Sequence, residues 1–344
     1  MIRRLISMLL LGLSLPTGSA LAQTHWAFRP VARRWTPEVT GRTDPALNQP
    51  LDRLVVPKLR PLGLSLAPEA DRASLLRRLS LDLTGLPPTA SQIRRYMEDV
   101  RPEAYEHAVD ALLASPGFGE RWAQLWLDVA RFAESDGFEH DQPRSDAWRY
   151  RDWVIEALNA DMPFDRFVQW QVAGDLLAPE HTAARVATGF LFAGPDMPDI
   201  NLRAERRHTV LNEMTSTVGA AILGLSVGCA QCHGHKFDPI SLREFYQLRA
   251  FFHNAAIPKR FQQLPPHFEA SQETLPEPTT MIRGDFRRPG SVTPPGFLAA
   301  LGAVDLEVDP SEPMDRRHLA WWLTASDNPL TGRVAVNRLW MALM

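Results

Sequence analysis

Over most of this chain apolar residues recur at helical rather than strand spacing. Leu75, Leu76, Leu79 and Leu83 fall on one side of a segment that begins near Arg72, which predicts an amphipathic helix over 72–83, stopped by Gly85 and Pro87-Pro88. Thr89 and Gln92 have the spacing of a capping box and open a helix over 90–98. Another is expected over 103–114, ending at Ser115-Pro116-Gly117. The stretch 120–133 predicts a packed helix with Trp122, Leu125, Trp126, Val129, Ala130 and Ala133 as its apolar stripe. Asp128, Arg131 and Glu134 run beside that stripe at spacing three, as intrahelical ion pairs would. Further helices are expected over 148–160, 164–177 and 183–192. A long helical stretch over 205–228 has Val210, Met214, Val218 and Leu225 on its apolar side, and Gly219, Ala220, Ala221 and Gly224 as small residues that allow close approach. Ser241 and Glu244 form a second capping box, opening a helix through Phe252.

Outside these helices the pattern changes. Residues 23–69 read as an extended N-terminal arm, with a short helix over 48–59 and aromatic anchors at Trp26 and Phe28. Residues 256–313 are broken repeatedly by proline, and a run such as Thr280 to Arg283 is a candidate strand. Helical periodicity returns over 316–324 and 333–344. The expected fold class is mainly α: an irregular multi-helix domain over 70–255 with a Pro-rich extension that has room for a small β element.

Residues 1–22 have the form of a secretory signal peptide: Arg3 and Arg4, an apolar run from Leu5 to Leu15, then Ala20-Leu21-Ala22 as a cleavage site. The run is too short for a membrane span and no later stretch is long enough, so the mature chain is expected to be exported, periplasmic or otherwise extracytoplasmic, with no transmembrane segment. Composition is that of a globular protein, 45% apolar and 22% charged. A formal charge of −3 gives no basis for nucleic-acid binding.

The chemistry concentrates in Cys229-Ala230-Gln231-Cys232-His233-Gly234-His235-Lys236-Phe237-Asp238-Pro239, which holds both cysteines of the chain. Cys-x-x-Cys-His is the attachment signature of c-type haem: two thiols bind the porphyrin vinyl groups and the adjacent imidazole becomes an axial ligand. On a helix Cys229, Cys232 and His233 share a face. Random placement of two Cys and ten His would give this arrangement with a probability of roughly two in ten thousand. Four rival readings stand beside haem. The pair can form a disulfide in an exported chain, act as a redox dithiol, contribute to a zinc or iron site with His233, His235 and Asp238, or simply pack. Candidates for a sixth haem ligand are Met197, Met214, His235 and His253. Glu213, a charge in an apolar run, and Asp136, in a carboxylate-dense loop from Ser135 to Arg144, are candidates for proton transfer. They serve the alternative function, a metal-dependent hydrolase or lyase acting on glycans.

The segments Ser135-Asp136-Gly137-Phe138-Glu139, Ala147-Trp148-Arg149-Tyr150-Arg151-Asp152-Trp153, Asn159-Ala160-Asp161-Met162-Pro163-Phe164-Asp165 and the cysteine stretch together resemble the planctomycete DUF1549 domain, also called PSCyt2, over roughly residues 50–255. Asn328-Pro329-Leu330-Thr331 and Arg333 to Trp340 resemble the opening of the DUF1553 domain, or PSD1, placing its start over 314–344. The resemblance implies an exported, cytochrome-like protein associated with polysaccharide degradation. It also implies a redox partner protein, or a separate cytochrome or DUF1553 domain, as partner. On this resemblance the chain is expected to be a truncated or split member.

Overall fold

Side-chain caps start four of the α-helices in the computed structural model, which describes residues 25–31, 49–139, 141–302 and 312–344. The export signal expected over 1–22 lies outside the described residues. Among them are twelve α-helices and one two-stranded sheet, so the fold is mainly α with a small β extension. None of the described helices is long and apolar enough to cross a membrane. The chain divides into two units, Pro30–Ala114 and the remainder. The boundary falls inside the stretch expected to be one helical domain, because Leu76, Tyr96 and Ala104 form an apolar cluster of their own.

The smaller unit contains α1 (Asp52–Leu59), α2 (Arg72–Thr84), α3 (Ala90–Glu98) and α4 (Ala104–Leu113). Asp71 caps α2 by accepting from the Ser74 N–H at 2.9 Å, and Gly85, at φ +71°, ends it in the left-handed region. The capping box of Thr89 and Gln92 starts α3 as expected. Arg72 lies over the Tyr96 ring and donates to the Asp99 carbonyl at 2.8 Å, which ties α2 to the end of α3.

The larger unit begins with α5 (Pro116–Val129), followed by α6 (Trp148–Asn159), α7 (Phe164–Leu177) and α8 (Thr182–Ala187). Half-buried Trp126 of α5 donates to Gln171 Oε1 at 2.7 Å, and the hydroxyl of buried Tyr150 donates to the same oxygen at 2.7 Å, so the polar tips of the three side chains satisfy one another. Next come α9 (Arg203–Val218), which widens into a π turn over Gly219–Leu223, and α10 (Leu242–Ala250). The expected long helix over 205–228 stops at Gly224, whose φ of +65° breaks the helical path, and a Cβ there would lie 2.8 Å from Val334. The Pro-rich stretch supplies the hairpin of β1 (Thr279–Met281) and β2 (Pro289–Val292). The chain then forms α11 (Arg316–Thr324) and α12 (Thr331–Leu343). Trp322 and Leu319 of α11 are fully buried, and Arg316 grips Asp175 of α7 through two bonds of 2.8 and 2.5 Å.

Candidate functional site

Cys229 sits on a 3₁₀ helix, Val227–Gln231, between the π turn and α10, and Cys232 caps its C-terminal end. In a 3₁₀ helix residues three apart lie above one another. Val227 and Ala230 point into the core with no exposed surface, whereas Cys229 and Cys232 are exposed. Two close approaches fix this orientation. Gly219 abuts the Val227 side chain, and a Cβ on Gly228 would lie 2.6 Å from Ser216 Oγ of α9. Below the turn, the Gln231 carbonyl accepts from the Tyr246 hydroxyl at 3.0 Å, and Gln231 Oε1 accepts from Asn212 Nδ2 at 3.0 Å. The hairpin closes one side: Gly284, at φ +72°, lies so near that a Cβ would be 2.6 Å from Cys232 Sγ. Both thiols are free, so the disulfide reading is not realised in this state.

The two histidines of the motif differ in kind. His233 is exposed, and its Nδ1 lies 2.6 Å from the Gly234 carbonyl, which can only accept. The proton is therefore on Nδ1, and Nε2 carries a free lone pair. Metal-binding imidazoles are usually oriented in this way, by a backbone carbonyl on the opposite nitrogen. His235 has a side chain only 4% exposed. Its Nδ1 accepts from the N–H groups of Phe237 at 3.2 Å and Asp238 at 2.7 Å, which puts the proton on Nε2, 3.0 Å from Ser226 Oγ. Both nitrogens of His235 thus hold the turn. Asp238 lies 3.5 Å from His235 Nδ1 but meets a lone pair already in use. Among the described residues no three His, Cys, Asp or Glu side chains come together to hold a metal ion, so His233, His235 and Asp238 do not form a common site.

The sequence-based sixth-ligand candidates separate similarly. Met214 is buried in the core, His235 holds the turn, and His253 Nε2 lies 2.6 Å from the Pro276 carbonyl, whereas Met197 is half-buried in the loop before α9. An open cleft of about 1120 Å³ lies beside the motif, bounded by Asp238, Ile240, Glu244, Gln247 and Phe297. The capping box of Ser241 and Glu244 shapes its wall, and Glu244 Oε1 also accepts from the Ala299 N–H at 2.9 Å.

The two proton-transfer candidates are tied up in ion pairs. Glu213 pairs with Arg131 on the half-exposed side of α9; Arg131 also donates to Thr217. Asp136 has no exposed surface and accepts from Arg144 Nε at 2.7 Å. Most of its loop is exposed, and the Asp136 carboxylate alone is drawn inside. Neither residue faces the cysteine turn as a free acid or base.

His208 of α9 lies behind the turn, 2.9 Å from Asn212 Nδ2 and packed near Phe286 of the hairpin. Burial first, and then the Arg249 guanidinium, push its pKa down to about 4, against weaker opposing effects of the Gly284 backbone and Asp285. The folded value lies below the ordinary imidazole value of about 6.5. The unfolded chain therefore takes up the proton first, and the stability contribution of neutral His208 is intact above roughly pH 6.5 and is lost as pH falls toward about 4. The loss should be on the order of 1–3 kcal/mol, with the lower end allowing for solvent at the part-exposed ring. In urea melts across this window, His208→Gln is expected to lose less stability on acidification than wild type. An identical acid slope in both would contradict the assignment.

These features define a class: a mainly α protein with a surface Cys-x-x-Cys-His turn held between two helices and a hairpin. The chain belongs to the PSCyt2 family, described as a protein of unknown function (DUF1549), whose model matches residues 50–256. Residues 315–344 match PSD1, described as a protein of unknown function (DUF1553). No curated protein and no solved structure matches the chain.

Proposed function

We propose that this chain is an exported c-type haem protein with a role in electron transfer or in support of an oxidoreductase. The observation that carries the reading is the contrast within the motif: two free, exposed thiols at i and i+3, followed by an imidazole whose Nδ1 is tied to a backbone carbonyl and whose Nε2 is available. Cys229 and Cys232 would hold the porphyrin. Each thiol would form one thioether by addition across a vinyl C=C, the sulfur bonding one carbon and the thiol hydrogen going to the other. His233 would present Nε2 to the iron, with the Gly234 carbonyl fixing its tautomer. Bound haem supplies reversible one-electron chemistry, with a potential set by axial ligation and burial. His235 holds the turn on which these residues sit. The signal-like segment over 1–22 agrees with attachment outside the cytoplasm. The glycan hydrolase or lyase reading has less support, since His235 holds the turn through both nitrogens and the proton-transfer candidates Glu213 and Asp136 are in ion pairs.

The test is expression of the full chain with a periplasmic haem-maturation system. The expected product is red, keeps its Soret band after acid–acetone extraction and gains the mass of one haem. Haem that extracts completely, or a colourless chain of unmodified mass under conditions that mature a control cytochrome, would overturn the reading.

A further inference from the structure

Behind the motif turn the larger unit contains a buried cation that has no counter-ion among the described residues. Arg249 of α10 is only 6% exposed, and its Nε is buried without a hydrogen-bond partner. The groups that act on its charge are the Tyr246 phenol, whose ring centre is 5.5 Å from the guanidinium, and a second cation, Arg207. Three other buried arginines of this unit each have a carboxylate: Arg144 has Asp136, Arg206 has Asp196 and Arg316 has Asp175. Arg207 gives no relief, since it donates to the carbonyls of Ala255 and His253. A bare buried guanidinium is strongly unfavourable, and an anion beside it removes that penalty.

A second unpartnered donor belongs to the same cluster. The Asn212 amide nitrogen can only donate, so His208 Nε2 accepts from it and the ring proton is on Nδ1. That Nδ1 is buried and unpartnered; the Gly284 backbone lies beside it without closing a well-aligned bond. A third orphan, Asn212 Oδ1, is an acceptor and suits water rather than an anion. We propose that Arg249 and His208 form a binding site for a compact monovalent anion, either a halide or the carboxylate of a small acid. One uncompensated positive charge and two N–H donors match one negative charge. The covering hairpin, through Gly284 and Phe286, favours a small ligand. The 6% of Arg249 that stays open gives an ion access.

The proposal goes beyond the haem reading, and its test needs no haem, so either can fail alone. Thermal unfolding of the full chain is measured at constant ionic strength while sodium gluconate is replaced by chloride, bromide or formate. The expected result is a saturable rise in Tm of a few degrees with a compact anion. A halide response without a formate response identifies an inorganic ion, and a formate response identifies carboxylate binding. Arg249→Gln should lose the saturable rise. Should that variant fail to fold, crystals of wild type soaked in bromide decide the matter through an anomalous peak between Arg249 and His208. A Tm that does not distinguish compact anions from gluconate, a rise unchanged in Arg249→Gln, or bromide peaks only at other surfaces would overturn the proposal.

Discussion

Replacing Arg206 with Met is expected to lower the stability of the larger unit by about 3–5 kcal/mol, with a Tm drop of roughly 5–15 °C. Arg206 and Asp196 are each 1% exposed and form a two-pronged pair. The same guanidinium donates to the carbonyls of Lys259 at 3.0 Å and Gln262 at 2.8 Å. Removing it leaves a carboxylate uncompensated in the interior and carbonyl groups without donors, whereas a buried pair that is intact contributes little over an apolar replacement. The effect should spread to the loops that meet there. The Asp196 N–H donates to the Asp136 carbonyl at 3.0 Å, Asp136 holds Arg144, and the Phe261 N–H donates to the Pro198 carbonyl at 2.7 Å. Asp196→Leu should cost a similar amount, and Arg206→Met with Asp196→Leu should recover much of it, because no lone charge remains. Denaturant melts of the three variants give the coupling. Single variants within about 1 kcal/mol of wild type would show that the pair is not buried as described.

These pairs mark the limit of what the sequence makes legible. Local chemistry reads well: the capping boxes of Thr89 with Gln92 and Ser241 with Glu244 start helices where their spacing predicts. Of the strand candidate from Thr280 to Arg283, Thr280 and Met281 lie in β1, and Ile282 and Arg283 turn into a 3₁₀ segment. Pro116 has the position of a helix stop in the sequence, yet it opens the next helix. At N1 it loses no hydrogen bond, so α5 begins there rather than near Glu120. Arg131 has the spacing of an intrahelical partner, but the backbone turns to φ +59° at that residue and the side chain reaches Glu213 and Thr217 instead. Asp136 has turn-like neighbours, yet its carboxylate is buried by Arg144 and by Gln263, which lies 127 residues away. Hydrophobic period and capping are local and survive in the sequence. The partner of a charge is chosen by tertiary contact. For the same reason the motif singles out His233 by adjacency alone and leaves His235 as a further ligand candidate, without showing that the two rings are held differently. That distinction depends on which nitrogen meets a carbonyl and which meets an N–H.

Covalent haem retention is expected to vanish in the double variant Cys229→Ala, Cys232→Ala, and this loss is the largest effect on the candidate site. Each sulfur supplies one thioether, so either single variant should still hold haem through acid–acetone extraction, with a shifted visible spectrum from the unreacted vinyl group. His233→Gln should leave covalent attachment possible while removing the axial nitrogen, so the Soret position and the potential change. His235→Gln should do the reverse. It removes the acceptor of the Phe237 and Asp238 N–H groups, at 3.2 and 2.7 Å, and the 3.0 Å contact to Ser226 Oγ. Leaving those groups unpaired should cost about 1–3 kcal/mol of stability with the spectrum of correctly matured protein unchanged. Absorption spectra and urea melts of the two histidine variants therefore make a crossed comparison. A spectrum that responds to His235 and ignores His233 would exchange their roles, and with them the reason for regarding this turn as a haem site.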